Sequence, residues 1–168
     1  MDQDPRRLAD VHAIEQVLYR YAVAIDTYDL DAFDEIFTPD AQLDTSVTGT
    51  LTPAGYRARC EEVLPGLDAT HHLLANPLVT VDGDTATVRT YYQAQHARNG
   101  CPGGSLLMLG GWIDDELVRT ADGWRIARRR GRAVWFDGNP AILGLDVVSG
   151  ANPALLPDRR AATGAIDS

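Results

Sequence analysis

The chain has 168 residues, 45% hydrophobic and 23% charged, enough for one domain with a real core and marginal for two. Its 15 basic and 24 acidic residues give a formal charge of −9, which argues against a general nucleic-acid binder or a partner of anionic membranes. No apolar run approaches a membrane span, and "MDQDPRRLAD" lacks the basic-then-apolar layout of a signal peptide, so the expected location is the cytoplasm. Cys60 and Cys101 fit no metal or redox spacing and read as free thiols.

Leu8, Val11, Ile14, Leu18, Ala22 and Ile25 predict a first helix from about Pro5 to Asp26. Asp29 is a suitable N-cap for a short second helix over Leu30 to Phe37. "TPDA" at 38–41 reads as a turn and "AQLDTS" as a short strand. Thr52 and Pro53 are an N-cap and first-turn pair for a third helix ending near Leu64.

From residue 71 onward the pattern is strand-like. "HHLLANPLVTV", "TATVRTYYQAQHA", "SLLMLGGWIDDELVRT" and "WRIARRRGRAVWF" are four runs, with hairpin signals at Asp82-Gly83 and Ala121-Asp122-Gly123. Three helices with one strand among them, then a four-stranded meander, predict an α+β fold: a curved antiparallel sheet with helices on one face. The domain is expected over 1–140. The tail, 141–168, mixes Pro, Gly and Ala with Leu143, Leu145, Val147 and Val148, and is either a lid or a fraying end.

Asp26 raises a question of its own. Leu18, Ala22 and Asp26 are four apart and stack on the apolar face of the first helix. A carboxylate there is costly unless it is paired, and an acid near a helix C-terminus opposes the macrodipole. In the hairpin after Asp82-Gly83, Ala86, Val88, Thr90, Tyr92, Ala94 and His96 share one face, while Arg89, Gln93 and Gln95 share the other. Regular pairing then turns His71 inward. A bulge at Asn76-Pro77, where proline cannot donate to the ladder, would turn His72 inward instead. Asp26 with an inward histidine is a proton-abstraction device, because a carboxylate fixes the tautomer of an imidazole and steadies its cation. No local ligand spacing supports a metal site.

"YAVAIDTYDLDAFDEIFTPDA", "HHLLANPLVTVDGDTATVRTYYQAQH" and "DGWRIARRR" resemble the SnoaL-like polyketide cyclase and dehydratase family over about residues 8 to 137. That family lies in the nuclear-transport-factor-2-like superfamily of cone-shaped α+β barrels, with three N-terminal helices on the concave side of the sheet. The motif likeness is to scytalone dehydratase and hexachlorocyclohexane dehydrochlorinase. The resemblance implies Asp26, His72 and His96 as catalytic residues, with His72 chosen over His71 by "HLLAN". It places an arginine near Arg129, and Tyr21, Tyr92, Trp112 and Arg129 are the expected substrate-contacting residues. Scytalone dehydratase activates a carbonyl with two tyrosines. The position of the first is Ile25 here, and Tyr19, Tyr21, Tyr56, Tyr91 and Tyr92 are the possible substitutes.

The expected function is a cofactor-independent lyase or cyclase on a small hydrophobic, oxygenated or polyketide-like molecule. The alternative is a non-catalytic module such as a ring-hydroxylating dioxygenase small subunit. Leu106, Met108, Gly110 and Trp112 alternate against Leu107, Leu109, Gly111 and Ile113, so both faces of this strand are apolar. Together with the resemblance, this predicts a homodimer or homotrimer.

Overall fold

The computed structural model describes residues 5–145. Helix α1 spans Pro5–Thr27, a 3₁₀ turn Leu30–Ala32 leads into the short α2 at Phe33–Ile36, and α3 spans Pro53–Val63. The strands are β1 Phe37–Thr45, β2 Gly49–Leu51, β3 Ala69–Asp82, β4 Thr85–Ala97, β5 Leu106–Thr120 and β6 Gly123–Gly138. They form one sheet in the order β2-β1-β6-β5-β4-β3. The outermost strands, β2 and β3, do not pair with each other, so the cone is open along that side.

The predicted α+β architecture with a four-strand meander is present, with local corrections. The sheet is antiparallel except where β1 runs parallel to β6, because α3 and β2 intervene before the chain reaches the meander. There are two strands among the helices, not one, paired antiparallel through a turn at 46–48. "TPDA" is not a turn between elements. It lies inside β1, where pairing with β6 lapses between Phe37 and Gln42, so Pro39 never has to donate to a ladder. Asp29 makes no side-chain cap, and the second helix is a 3₁₀ turn plus one α turn. Thr52 does cap α3: its hydroxyl accepts the Gly55 N–H at 3.2 Å, and Pro53 occupies the first turn.

α1 ends in a Schellman arrangement. Asp29 N–H donates to the Ala24 carbonyl and Tyr28 N–H to that of Ile25, with Tyr28 at φ 60°. This stops the helix one residue after Asp26. Ile14, Val17, Leu18, Tyr21, Ala24 and Ile25 bury the same face against the sheet and anchor the helix.

Two bulges determine which polar side chains reach the concave face. In β3, pairing with β4 slips between Ala75 and Leu78, and Asn76 takes a left-handed φ of 53°. Val79 and Val81 face inward beyond the slip; before it, the inward set is Thr70, His72 and Leu74. The turn itself is Gly83-Asp84, one residue later than expected, because Asp82 pairs with Thr85. That displacement leaves the faces unchanged; the bulge is what exchanges His71 for His72. In β6, Leu117 pairs with Ile126 but Glu116 with Arg128, so Ala127 is the extra residue. Trp124 and Ile126 point inward, and after the bulge the inward residue is Arg129, with Arg128 and Arg130 exposed.

Candidate active site

The sheet's concave face and the helices enclose a cavity of about 130 Å³. Its wall includes Tyr21 and Tyr56 from the helices, His72 and Leu74 from β3, and Tyr92 and His96 from β4. Arg129 and Gly131 come from β6, and the 45–48 turn and Leu143 complete the lining. A cavity near 150 Å³ holds one benzene-sized molecule, which sets the scale of an occupant.

Asp26, at the end of α1, meets His72 twice. Its Oδ2 accepts the His72 backbone N–H at 2.7 Å, and its Oδ1 lies 2.8 Å from His72 Nδ1. Burial pushes the Asp26 carboxyl up, but the hydrogen bonds from the His72 ring and backbone N–H outweigh this and hold it below the usual value. An ionised carboxylate only accepts, so His72 donates from Nδ1, and in the neutral ring the lone pair is the one on Nε2. The His96 ring stands edge-on to His72, with centroids 5.6 Å apart at 90°. Burial first, and then the proximity of His72, lower the pKa of His96 to about 4 against the opposing pull of Asp26, so it stays neutral.

Arg129 is 2% exposed. Its Nε and Nη2 donate to the two oxygens of buried Asp115, each at 2.7 Å, and its Nη1 has no hydrogen-bond partner. The guanidinium lies 4.0 Å from the centroid of the Tyr21 ring, a cation–π contact. Burial opposes the charge, but the pairing with Asp115 prevails and raises the Arg129 pKa further. The Tyr21 and Tyr56 hydroxyls are 2.8 Å apart. Burial raises both phenols, and Arg129 offsets part of the rise at Tyr21.

The structure thus brings together Asp26, His72, His96, Tyr21, Tyr92 and Arg129. Trp112 is the exception: it lies on the outer face beside Tyr91 and Trp135, 5.9 Å below the Arg89 guanidinium. The strand's alternation decides this, since Ile113 is its inward neighbour. Tyr91 and Tyr19 are exposed. Asp115 went unrecognised in the sequence, although an Asp pair in the strand before "ARRRGR" is the signal for it. Nothing in the sequence marks the 45–48 turn as cavity wall, while Leu143, from the segment read as a lid or a fraying end, does line it. The predicted boundary at 140 falls at a 3₁₀ turn, Pro140–Leu143, whose Ile142 and Leu143 pack on Leu107 and Leu109. Val147 and Val148 lie outside the described residues. Among the described residues no cluster of ligating side chains could hold a metal, and no helix is long and apolar enough to cross a membrane.

Comparison with known proteins gives this geometry its context. The uncharacterized protein Rv2910c of Mycobacterium tuberculosis is 37% identical over 124 residues, 73% of this chain and 84% of its own. Terrestric acid biosynthesis cluster protein E of Penicillium crustosum is 35% identical over 146 residues, 82% of this chain and 91% of its own. Among solved structures, Kfla4162 of Kribbella flavida superposes with a TM-score of 0.76 at 28% identity, covering 83% of this chain and 99% of that one. A protein described as a scytalone dehydratase of Novosphingobium aromaticivorans gives 0.72 at 21% identity, with coverage of 79% and 89%. A hexachlorocyclohexane dehydrochlorinase, LinA type 2, gives 0.70 at 20%, with coverage of 88% and 96%. At those identities the last two speak for the fold. The family model for the SnoaL-like domain matches residues 6–130, and the chain belongs to that family, with its nuclear-transport-factor-2-like fold.

Proposed function

We propose that the protein is a cofactor-independent lyase or cyclase that removes a proton alpha to a carbonyl of a small hydrophobic, oxygenated substrate. The observation that carries this reading is the Asp26–His72 pair: Nδ1 is committed to the carboxylate and the ring borders a cavity of one-ring size. His72 Nε2 takes the C–H proton, and the electron pair moves onto the carbonyl oxygen as an enolate. Where a β-hydroxyl is present, the enolate collapses, the C–O bond breaks and the His72 proton leaves with the hydroxide as water. Asp26 holds the tautomer and steadies the imidazolium without itself taking the proton.

The remaining lining suits the oxygen. His96 contributes a neutral imidazole that hydrogen-bonds the carbonyl or the leaving hydroxyl. The Tyr21–Tyr56 pair uses one hydroxyl proton internally and has one to give. Arg129 lies behind Tyr21, close enough to favour negative charge developing on an oxygen bound there. Tyr92 and Leu74 supply apolar wall. Family membership supports a dehydratase or cyclase type of chemistry. The Penicillium relative, named for a biosynthetic cluster, supports a secondary-metabolite-like substrate. The test is elimination of water from a panel of single-ring β-hydroxy ketones, followed by enone absorbance. Saturable turnover is expected. No turnover and no binding across the panel would favour the non-catalytic module.

The outer face bears on assembly. Leu73, Leu78, Tyr91, Leu106 and Trp135 are exposed on the sheet. The described start of the tail packs instead on Leu107 and Leu109 beside the cavity, so it does not cover that face. The reading is a homodimer or homotrimer closed over the outer sheet. Sedimentation equilibrium at micromolar concentration should give a multiple of the chain mass, and a clean monomer would contradict it.

A further inference from the structure

Two buried polar atoms lie on one rung of the sheet. His96 on β4 pairs directly with Thr70 on β3, so both side chains stand on the concave face. His96 Nδ1 and Thr70 Oγ1 are each sealed from solvent, and neither has a hydrogen-bond partner. His96 is 6% exposed. On its other side, across the β4–β5 ladder, stands Leu107, which offers its ring nothing polar. Diagonally, His72 has its Nδ1 occupied by Asp26. Thr70 is therefore the one side chain directly opposite His96 with a proton to offer. Buried polar atoms in native structures overwhelmingly find partners, and side chains directly opposed on one face of an antiparallel pair stand within reach of each other.

We propose that Thr70 is the positioning residue of His96: its hydroxyl donates to Nδ1 and so holds His96 as the Nε2–H tautomer. The direction follows from basicity, since an unprotonated imidazole nitrogen is a better acceptor than a hydroxyl oxygen. The two histidines then sit side by side in opposite tautomers. His72, with Nδ1–H on Asp26, presents a lone pair to the cavity; His96, with Nδ1 occupied, presents an N–H. One is equipped to take a proton and the other only to donate a hydrogen bond. Neutrality of His96 down to a pH of about 4 keeps this distinction across the physiological range. The partner of His96 is thereby an acceptor: a carbonyl or hydroxyl oxygen of the substrate, not an N–H.

The assignment of a donor role rests on the lyase reading, but the tautomer is measured without any substrate. Full-length protein labelled with ¹⁵N-histidine is examined by long-range ¹H–¹⁵N correlation at pH 7, with resonances assigned through single His→Gln variants. His72 should appear as Nδ1–H and His96 as Nε2–H. Thr70→Val, which keeps the shape and removes the hydroxyl, should turn His96 into a tautomer mixture, and Thr70→Ser should restore the single form. His96 as Nδ1–H in the wild type overturns the proposal, as does a His96 spectrum unchanged in Thr70→Val. If Thr70→Val does not fold, Thr70→Ala removes the same hydroxyl and carries the same two outcomes. With a turned-over substrate, Thr70→Val should lower kcat roughly 3- to 10-fold, the worth of one neutral hydrogen bond, with rescue by serine. A wild-type tautomer as expected, together with no turnover by any variant or by wild type, would sink the lyase reading and leave this one standing.

Discussion

Two carboxylates border the concave site, and they are held differently. Asp115 gives both oxygens to the Arg129 guanidinium, and the pair is almost wholly buried, with side-chain exposures of 1% and 2%. Asp26 gives one oxygen to a backbone N–H and the other to an imidazole, at side-chain exposures of 19% and 14% for Asp26 and His72. A guanidinium does not give up its proton in a protein, whereas an imidazole exchanges one near neutral pH. The Arg129–Asp115 pair is thus a fixed dipole. The Asp26–His72 pair is the one that can change protonation state during a reaction. The same pairing device is structural in one place and reactive in the other because the cationic partner differs.

The contrast breaks first on stability. Arg129→Leu leaves Asp115 buried and unpaired, and should cost about 3–5 kcal/mol in urea denaturation, while the Arg129→Leu/Asp115→Leu double variant recovers most of it. Asp26→Asn keeps an acceptor for the His72 backbone N–H and should cost only about 1 kcal/mol. Equal losses for the two single variants would show that the pairs are not distinct.

Acid titration sharpens the contrast on the histidine side. His96 has a folded pKa of about 4 against 6.5 for the free side chain. Between those values the unfolded chain binds a proton that the folded chain does not, so stability falls as pH drops from 6.5 to 4. The loss across that window should be about 3 kcal/mol, and His96→Gln should remove this limb. The Asp26 carboxyl is depressed below its free value of 3.8, so its stabilisation is lost only under more acid conditions and does not obscure the limb. A wild-type stability flat from pH 6.5 to 4 would contradict the buried neutral assignment.

The smallest effect concerns the phenols. Tyr56→Phe removes one hydroxyl from the Tyr21–Tyr56 pair and leaves Tyr21 to donate alone. It should cost about 0.5–1.5 kcal/mol in transition-state stabilisation, read as kcat, with little change in unfolding midpoint. An unaltered kcat would remove the pair from the oxygen-binding role.

How much of this was legible in the sequence follows from parity and its interruptions. The inward set from Ala86 to His96 could be read by alternation because β4 carries no extra residue over that stretch: it stays in register with β5, and the bulge against β3 lies on the β3 side. His71 and His72 could not be separated by alternation, yet Pro77 flagged the bulge that decides between them. The bulge at Ala127 carries no such mark. "ARRRGR" offers three consecutive arginines, and periodicity from Trp124 and Ile126 would have chosen Arg128. The resemblance pointed near Arg129 without choosing among Arg128, Arg129 and Arg130, and the register places Arg129 inward. Trp112 was misplaced for the opposite reason: β5 is apolar on both faces, so hydrophobicity did not say which was the cavity. The parallel β1–β6 pair is a long-range fact about which strands meet, and local pattern does not encode it.

The most direct test of the central claim is α-proton exchange in D₂O on a single-ring ketone that binds the cavity, followed by NMR for wild type and for His72→Gln. Wild type should catalyse the exchange, and a His72→Gln variant with an unchanged unfolding midpoint should do so about 10²–10⁴-fold more slowly. A folded His72→Gln protein that exchanges the proton as fast as wild type would contradict it.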